Sequence, residues 1–247
     1  MQPTVIVIPC YNEAERLPSD ALLRATQEHA ALSLILVDDG SKDGTSDLLW
    51  ALERQRPKQI EVLKLSSNQG KAEAVRRGML SAFDTKATLT GYFDADLATP
   101  LAELVPMSEL FDQAKVQLVM GARVQLLGRN VHRRALRHYL GRVFASSASL
   151  LLGLGVYDTQ CGAKLFRNTP ALSHLFEQPF CVNWSFDVEL LLRFASASAE
   201  GLLPPIEQAV VEFPLGTWRD VRGSKLGPTA AFEAALELSR LWRKYRS

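Results

Sequence analysis

Short runs rich in valine, isoleucine and leucine recur at residues 4–8, 34–37, 60–65, 89–93 and 118–120, and helix-like stretches separate them. Leu22, Leu23 and Thr26 fall in one such stretch. Ala72, Val75, Met79 and Phe83 fall in another, at the spacing that builds one apolar stripe on a helix. Strands alternating with helices imply a parallel sheet covered on both faces, because parallel strands need crossover connections and these are usually helical. An α/β fold with a mostly parallel central sheet is therefore expected.

In sheets of this kind ligands bind beyond the carboxyl ends of the strands. Those ends carry nearly all of the unusual polar residues, at 9–13, 38–43, 66–71 and 94–99. After about residue 122 the pattern changes. A long helix is expected over 129–152, a second over 186–197, a late strand over 207–213 and a final helix over 229–247. In the last, Leu238, Leu241 and Trp242 sit among Arg240, Arg243, Lys244 and Arg246. Such a helix can rest on an anionic membrane, but packing against the domain is the more ordinary outcome. No repeat, low-complexity tract or linker divides the chain, so one domain over 1–247 is expected.

Composition narrows the partners. With 247 residues and 47% apolar content the chain can bury a sizeable core. Lysine and arginine number 28 against 27 acidic residues, and a net charge of +1 gives no bulk attraction to nucleic acid. Three cysteines, Cys10, Cys161 and Cys181, are an odd number without metal-ligand spacing, which fits a reducing compartment. The residues before the first strand lack the regions of a signal peptide, so a cytoplasmic protein is expected. The longest uncharged run, 143–157, falls short of the roughly 20 apolar residues of a spanning helix, which limits membrane contact to the periphery.

Phe93-Asp94-Ala95-Asp96-Leu97 places two carboxylates one residue apart, after an apolar strand and before Thr99-Pro100. Their repulsion is costly without a cation. Magnesium or manganese takes hard oxygen ligands and commonly joins one or two carboxylates to substrate phosphates, so Asp94 and Asp96 suit a metal clamped on a diphosphate. A plain helix cap is the competing reading, and the position beside other acidic strand ends favours the metal. Asp39, in Val37-Asp38-Asp39-Gly40-Ser41, is placed to accept hydrogen bonds from ribose hydroxyls or a base N–H, with Asp43 and Thr45 serving the turn. Ser67-Asn68-Gln69-Gly70-Lys71 opens a helix with amides, a glycine and a lysine that favour an anion. The Walker pattern is absent, and a loop with an exposed lysine fits that motif equally well.

Taken in order, Pro9-Cys10-Tyr11-Asn12-Glu13, Val37-Asp38-Asp39-Gly40-Ser41, Asn68-Gln69-Gly70-Lys71 and Asp94-Ala95-Asp96 resemble the motifs of family 2 inverting glycosyltransferases. Segments 93–100, 158–166 and 184–190 look most like dolichyl-phosphate glucosyltransferases, and the likeness runs over about 4–226. The resemblance implies the GT-A fold, with a nucleotide-sugar half over about 1–122, an acceptor half over about 123–226 and a C-terminal amphipathic helix over about 227–247. It implies that Pro9, Tyr11, Glu13 and Asp39 hold the nucleotide, while Lys71, Asp94, Ala95 and Asp96 meet the rest of the nucleotide sugar. The implied cofactor is Mg2+ or Mn2+ on Asp94 and Asp96, the implied donor UDP-glucose and the implied acceptor a polyprenyl or dolichyl phosphate. Dolichyl-phosphate mannose synthases often carry glutamine two residues after the second aspartate, where this chain has Ala98. That departure points to the glucosyl branch and leaves the metal one protein ligand fewer.

Arg123, Arg129, Arg133, Arg134, Arg137 and Arg142 concentrate positive charge in a nearly neutral chain. Arginine binds phosphate in forked geometry and stays charged. At about 100° per residue, Arg133 and Arg137 share a helix face with Leu136, Leu140 and Phe144, so a phosphate head and an apolar tail can lie together. A solvated basic helix is the bland alternative for any single arginine. The resemblance sets Arg123 against the acceptor phosphate and adds Gln160, whose segment 158–162 says little by physics alone. Asp187, at the start of a helix, completes a catalytic set with Asp96 and Arg123. It serves as general base for a hydroxyl acceptor, or orients groups for a phosphate, which with a second pKa near about 6 needs no base. Trp218 and Gly223-Ser224-Lys225 are read as a flexible loop near the donor.

Alternatives stay open within and beyond this family. The same fold can take another donor such as GDP-mannose, or a hydroxyl acceptor. A non-catalytic nucleotide-binding protein would bind without turnover. A nucleotidyltransferase would want a glycine-rich loop after the first strand, and 9–16 contains no glycine.

Overall fold

The computed structural model describes residues 1–132, 135–221 and 230–245, with the side chains of 132, 135–143 and 230–232 outside the description. Along the chain run β1 (Thr4–Cys10), α1 (Ser19–Glu28), β2 (Leu32–Asp38), α2 (Thr45–Gln55), β3 (Ile60–Lys64), α3 (Lys71–Phe83) and β4 (Leu89–Phe93). Then come α4 (Leu104–Glu109), β5 (Leu118–Ala122), β6 (Asn130–His132), α5 (Ala135–Leu152), β7 (Ala163–Arg167) and α6 (Pro170–Glu177). The remainder is α7 (Phe186–Ala199), α8 (Ile206–Ala209), β8 (Val210–Pro214), β9 (Thr217–Arg219) and α9 (Ala230–Tyr245).

The apolar runs form one seven-stranded sheet in the order β3-β2-β1-β4-β7-β5-β8. Strands β3, β2, β1 and β4 are mutually parallel, β5 is parallel to β8, and β7 runs antiparallel between β4 and β5. Strand periodicity sends alternate side chains to opposite faces. Val5, Val7, Ile35, Val37, Tyr92 and Met120 join a core with α3, α5, α6, α7 and α9. Ile6, Ile8, Leu34, Leu36, Phe93 and Val119 join the other with α1, α2 and α4. Both faces are covered, which explains why β1, β2 and β4 read as nearly continuous apolar runs.

Two expectations are corrected and one strand is added. The helix expected over 129–152 begins at Ala135, because Asn130–His132 instead pairs with Thr217–Arg219 in a second, two-stranded sheet. The late strand over 207–213 starts at Val210, since Ile206–Ala209 makes one helical turn before the chain enters the sheet. Strand β7 is an element for which no expectation was formed: Lys164, its second residue, interrupts the apolar pattern of a strand buried at all but its last position. The final helix packs on the domain. Ala234 and Leu241 are buried, and Glu237 accepts hydrogen bonds from the backbone amides of Asn183, Trp184 and Ser185 at 3.0, 3.2 and 2.7 Å. Among the described residues no helix is long and apolar enough to cross a membrane.

Candidate active site

The loops leaving β1, β2 and β4 meet at one edge of the sheet because those strands are adjacent and parallel. Asn12, at φ +50°, accepts from the Lys42 amide at 2.9 Å, while the Asn12 amide donates to Ser41 Oγ at 3.1 Å. Pro9 and Tyr11 are half-buried at this edge. Glu13 is buried and its carboxylate is forked by Arg16, with Nη2 at 2.7 Å from both oxygens. Asp38 turns back on its own loop, taking the Ser41 amide at 2.9 Å and the Ser46 hydroxyl.

Asp39 crosses to the next loop. Its two oxygens accept from the amides of Gln69 at 2.7 Å and Gly70 at 2.9 Å. Burial raises its pKa against the lowering effect of those amides. The amides that the sequence offered to an anion therefore already face one, and Asp39 keeps further lone pairs for a ligand donor. Gly70 sits at φ +92°, and a Cβ there would lie 2.7 Å from the Asn183 side chain, so the turn requires glycine.

From that turn Lys71 opens α3 and sets Nζ 2.6 Å from Asp94 Oδ1. Neighbouring atoms partly desolvate the Lys71 ammonium and pull its pKa down, but the charges of Asp94 and Asp187 outweigh this and hold it protonated. The Asp94 amide donates to the Gly162 carbonyl at 3.0 Å. Asp96 accepts the Ala98 amide at 3.0 Å, so part of its work is the turn cap of the competing reading, in a loop where Leu97 is at φ +45°. Burial raises the Asp96 pKa and the Asp94 charge adds to it. A divalent cation would relieve that repulsion, and the donors are all hard oxygens. Ala95 between them is buried. Among the described residues no group of three or more His, Cys, Asp or Glu side chains is gathered as for a metal ion.

Across from these, Arg123 grips Asp158 in forked geometry, Nε at 2.6 Å and Nη2 at 2.7 Å, and its guanidinium lies 5.5 Å from the Trp218 ring. Glu212 fixes the Tyr157 and Asp158 amides from behind, at 2.8 Å to each. In the following turn Thr159 Oγ1 and Gln160 Nε2 are buried and have no hydrogen-bond partner among the described residues. Burial pushes the Cys161 thiol up to about 11, which leaves it a small apolar filler rather than a nucleophile. Arg133 lies outside the described residues, as does the Arg137 side chain and the 223–225 segment. Trp218 is buried on β9 rather than in a loose loop.

Asp187 lies in the first turn of α7, and only 2% of the residue is exposed. Its Oδ1 accepts from Tyr92 Oη at 2.5 Å and from Lys164 Nζ at 2.6 Å. Burial, with the Asp187 charge, raises the Tyr92 pKa well above 10.0, so the phenol stays a donor. Sequence reasoning missed Lys164, Tyr92, Gly162, Asn183 and Glu237. Only Lys164 left a signal, as a charge interrupting the apolar residues Ala163, Leu165 and Phe166.

The model of the Glycosyl transferase family 2 matches residues 5–173. The dolichyl-phosphate beta-glucosyltransferase of Dictyostelium discoideum is 31% identical over 97% of this chain and 74% of that protein. Its Drosophila melanogaster counterpart is 32% identical over the same shares. The human one is 31% identical over 90% of this chain and 69% of its own length. Among solved structures, glucosyl-3-phosphoglycerate synthase from Mycobacterium tuberculosis, in complex with Mn2+ and UDP-glucose, superimposes with a TM-score of 0.67 at 19% identity, covering 99% of this chain and 79% of that one. The mannosyltransferase from Pyrobaculum calidifontis in complex with GDP-Man and Mn2+ gives 0.64 at 17% identity, covering 98% and 64%. The shared architecture is the GT-A fold. With the family model spanning the strand ends that carry Asp39, Asp94 and Asp96, the chain is a member of glycosyl transferase family 2.

Proposed function

We propose that the chain transfers glucose from UDP-glucose to a polyprenyl phosphate, of which dolichyl phosphate is the example named by its relatives, with inversion at the anomeric carbon. Pro9, Tyr11, Glu13 and Asp39 line the nucleotide, with Lys71, Asp94, Ala95 and Asp96 against the diphosphate and sugar. Residues 123–226 build the acceptor side, where Arg123, Arg133, Arg137 and Gln160 meet the phosphate. A divalent cation, Mg2+ or Mn2+, held by Asp94 and Asp96 supplies charge stabilisation of the departing nucleoside diphosphate. Lys71 adds a second positive charge beside the same oxygens.

One observation carries the acceptor assignment. Asp187 is the carboxylate that would serve as general base, and its Oδ1 is already shared between Tyr92 and the Lys164 ammonium. An acceptor hydroxyl needs that base; a phosphate monoester, largely dianionic at neutral pH with a second pKa near about 6, brings its own nucleophilic oxygen. Gln160 Nε2, buried and without a hydrogen-bond partner among the described residues, is a donor that suits the same anion. Catalysis then rests on alignment and on charge stabilisation of the leaving group. A lipid acceptor sets the reaction at the inner face of a membrane, with the chain in peripheral contact.

The test is product analysis with labelled UDP-glucose and Mn2+, offering a polyprenyl phosphate, its dephosphorylated alcohol and 3-phosphoglycerate side by side. Label in a β-linked lipid phosphosugar is the expected result. Transfer to the alcohol or to the glycerate hydroxyl instead would overturn the acceptor assignment.

A further inference from the structure

Lysine is rarely buried, because removing an ammonium from water costs several kcal/mol unless every proton finds an acceptor. Lys164 is 0% exposed, the second residue of β7, opposite Tyr92 on β4 and Met120 on β5. Its three protons are fully used: Asp187 Oδ1 at 2.6 Å, the Cys161 carbonyl at 2.7 Å and the Thr159 carbonyl at 3.0 Å. The ion pair with Asp187 accounts for one proton. The other two reach backward into turn 158–162, the segment that carries Asp158 under Arg123 and the Gly162 carbonyl under the Asp94 amide.

Turning both carbonyls inward onto the lysine fixes the peptide planes of that turn. In the same turn the Gln160 Nε2 and Thr159 Oγ1 atoms are buried with no hydrogen-bond partner among the described residues. A buried apolar pair at 164 and 187 would hold β7 against α7 without this constraint. We propose that Lys164 is a positioning residue for the acceptor: through the Thr159 and Cys161 carbonyls it presents Gln160 and the Arg123–Asp158 pair to the acceptor phosphate. Its second effect is electrostatic. By neutralising Asp187 it keeps an unpaired negative charge away from an incoming dianion. The inference rests on the polyprenyl-phosphate reading above.

The experiment uses the full chain, with a short polyprenyl phosphate in detergent as acceptor, UDP-glucose as donor and Mn2+ throughout. Lys164→Met is compared with Lys164→Met/Asp187→Asn, in which no charge is left uncompensated. Thermal stabilisation by UDP with Mn2+ reports the donor half independently. For both variants the acceptor KM is expected to rise at least tenfold, while the donor KM and the UDP-induced shift stay at wild-type values. Restoration of the wild-type acceptor KM in the double variant would reduce Lys164 to a charge partner of Asp187 and overturn the positioning role. A donor KM rising in step with the acceptor KM would overturn it as well. Should Lys164→Met fail to fold, the double variant carries the same comparison. A wild-type chain that glucosylates no polyprenyl phosphate overturns the acceptor reading itself, whereas wild-type transfer with unchanged KM in the variants overturns only the role of Lys164.

Discussion

Lys71 and Asp94 face each other across the sheet edge at 2.6 Å, although they lie on different elements and neither was paired with the other from sequence. Lys71 opens α3, while Asp94 leaves β4, and the crossover of α3 between β3 and β4 brings them together. The ammonium partly balances the charge of Asp94. In the function proposed above, the same group turns to the donor phosphates. Both side chains are substantially open, 43% and 38% exposed, so the pair can exchange partners at little cost.

Replacing Lys71 by methionine therefore removes a charge from the donor site without opening the core. A hydrogen bond to a charged group contributes about 1.5–3 kcal/mol, and partial exposure puts this one at the lower end, which converts to a rise in donor KM on the order of tenfold. Thermal stability should change little. Steady-state kinetics against UDP-glucose at fixed Mn2+ checks the first, and a melting curve the second.

Asp96→Ala is expected to lower kcat by about 10²–10³, the scale on which removal of one preorganised charge-stabilising group is felt. Saturating Mn2+ should not restore it. Near-normal transfer by the variant at high metal concentration would end the assignment of Asp96 as a metal residue.

The parallel half of the sheet was legible because buried parallel strands must be continuously apolar, and because turn formers such as Gly40 and Gly70 mark their carboxyl ends. Asp39, Asp94 and Asp96 stand at such ends, so their neighbourhood followed from the alternation of strands and helices. The acceptor side obeys no such rule. β7 carries Lys164 as its second residue, and the partners of that lysine lie in a turn and a distant helix that no periodicity connects. Asn130–His132 reads as helix by composition, and only its pairing with Thr217–Arg219 makes it a strand. Tertiary contacts outweigh local preference there.

Glu189 joins α7 to the C-terminal helix. It is fully buried, and accepts from Arg193 at 2.9 Å and from Lys244 and Tyr245 at 3.0 Å each. Burial alone would raise its pKa, but the hydrogen bonds from Arg193 and Lys244 outweigh that and hold it below the ordinary 4.5. The sign follows: an acid depressed in the folded state stabilises it above the unfolded value, and that stability is lost as the pH falls from 4.5 through the lower folded value. Unfolding in urea at pH 7 and at successively lower pH should show this loss. Glu189→Ala should remove about 3–5 kcal/mol at pH 7 and flatten the acid limb.

Glu237 does for the turn before α7 what Glu189 does for its body. Three consecutive amides at 183–185 donate to its carboxylate, and Asn183 in turn accepts from the Ala72 amide at 3.2 Å, behind Lys71. Glu237→Ala is expected to cost about 2–3 kcal/mol, on the scale of hydrogen bonds to a charged group. Donor KM should rise with it, because the N-terminus of α3 loses its brace. Glu237→Gln, which keeps a carbonyl acceptor, should recover most of both.

Gly162→Ala isolates the geometry of Asp94. A Cβ at 162 would lie 1.9 Å from Asp94 Oδ2 and 2.1 Å from its Cγ, so the carboxylate must swing away. The core does not need to move, since the displaced group is a part-exposed side chain, and leaving a preferred rotamer costs only about 0.5–1.5 kcal/mol. Melting temperature should fall by a few degrees at most. Transfer should fall far more, about 10²-fold, because the metal and Lys71 would both lose the oxygen they share. Wild-type kcat in this variant would mean that Asp94 can serve from a second position, and the tight approach of turn 158–162 to β4 would then have no catalytic consequence.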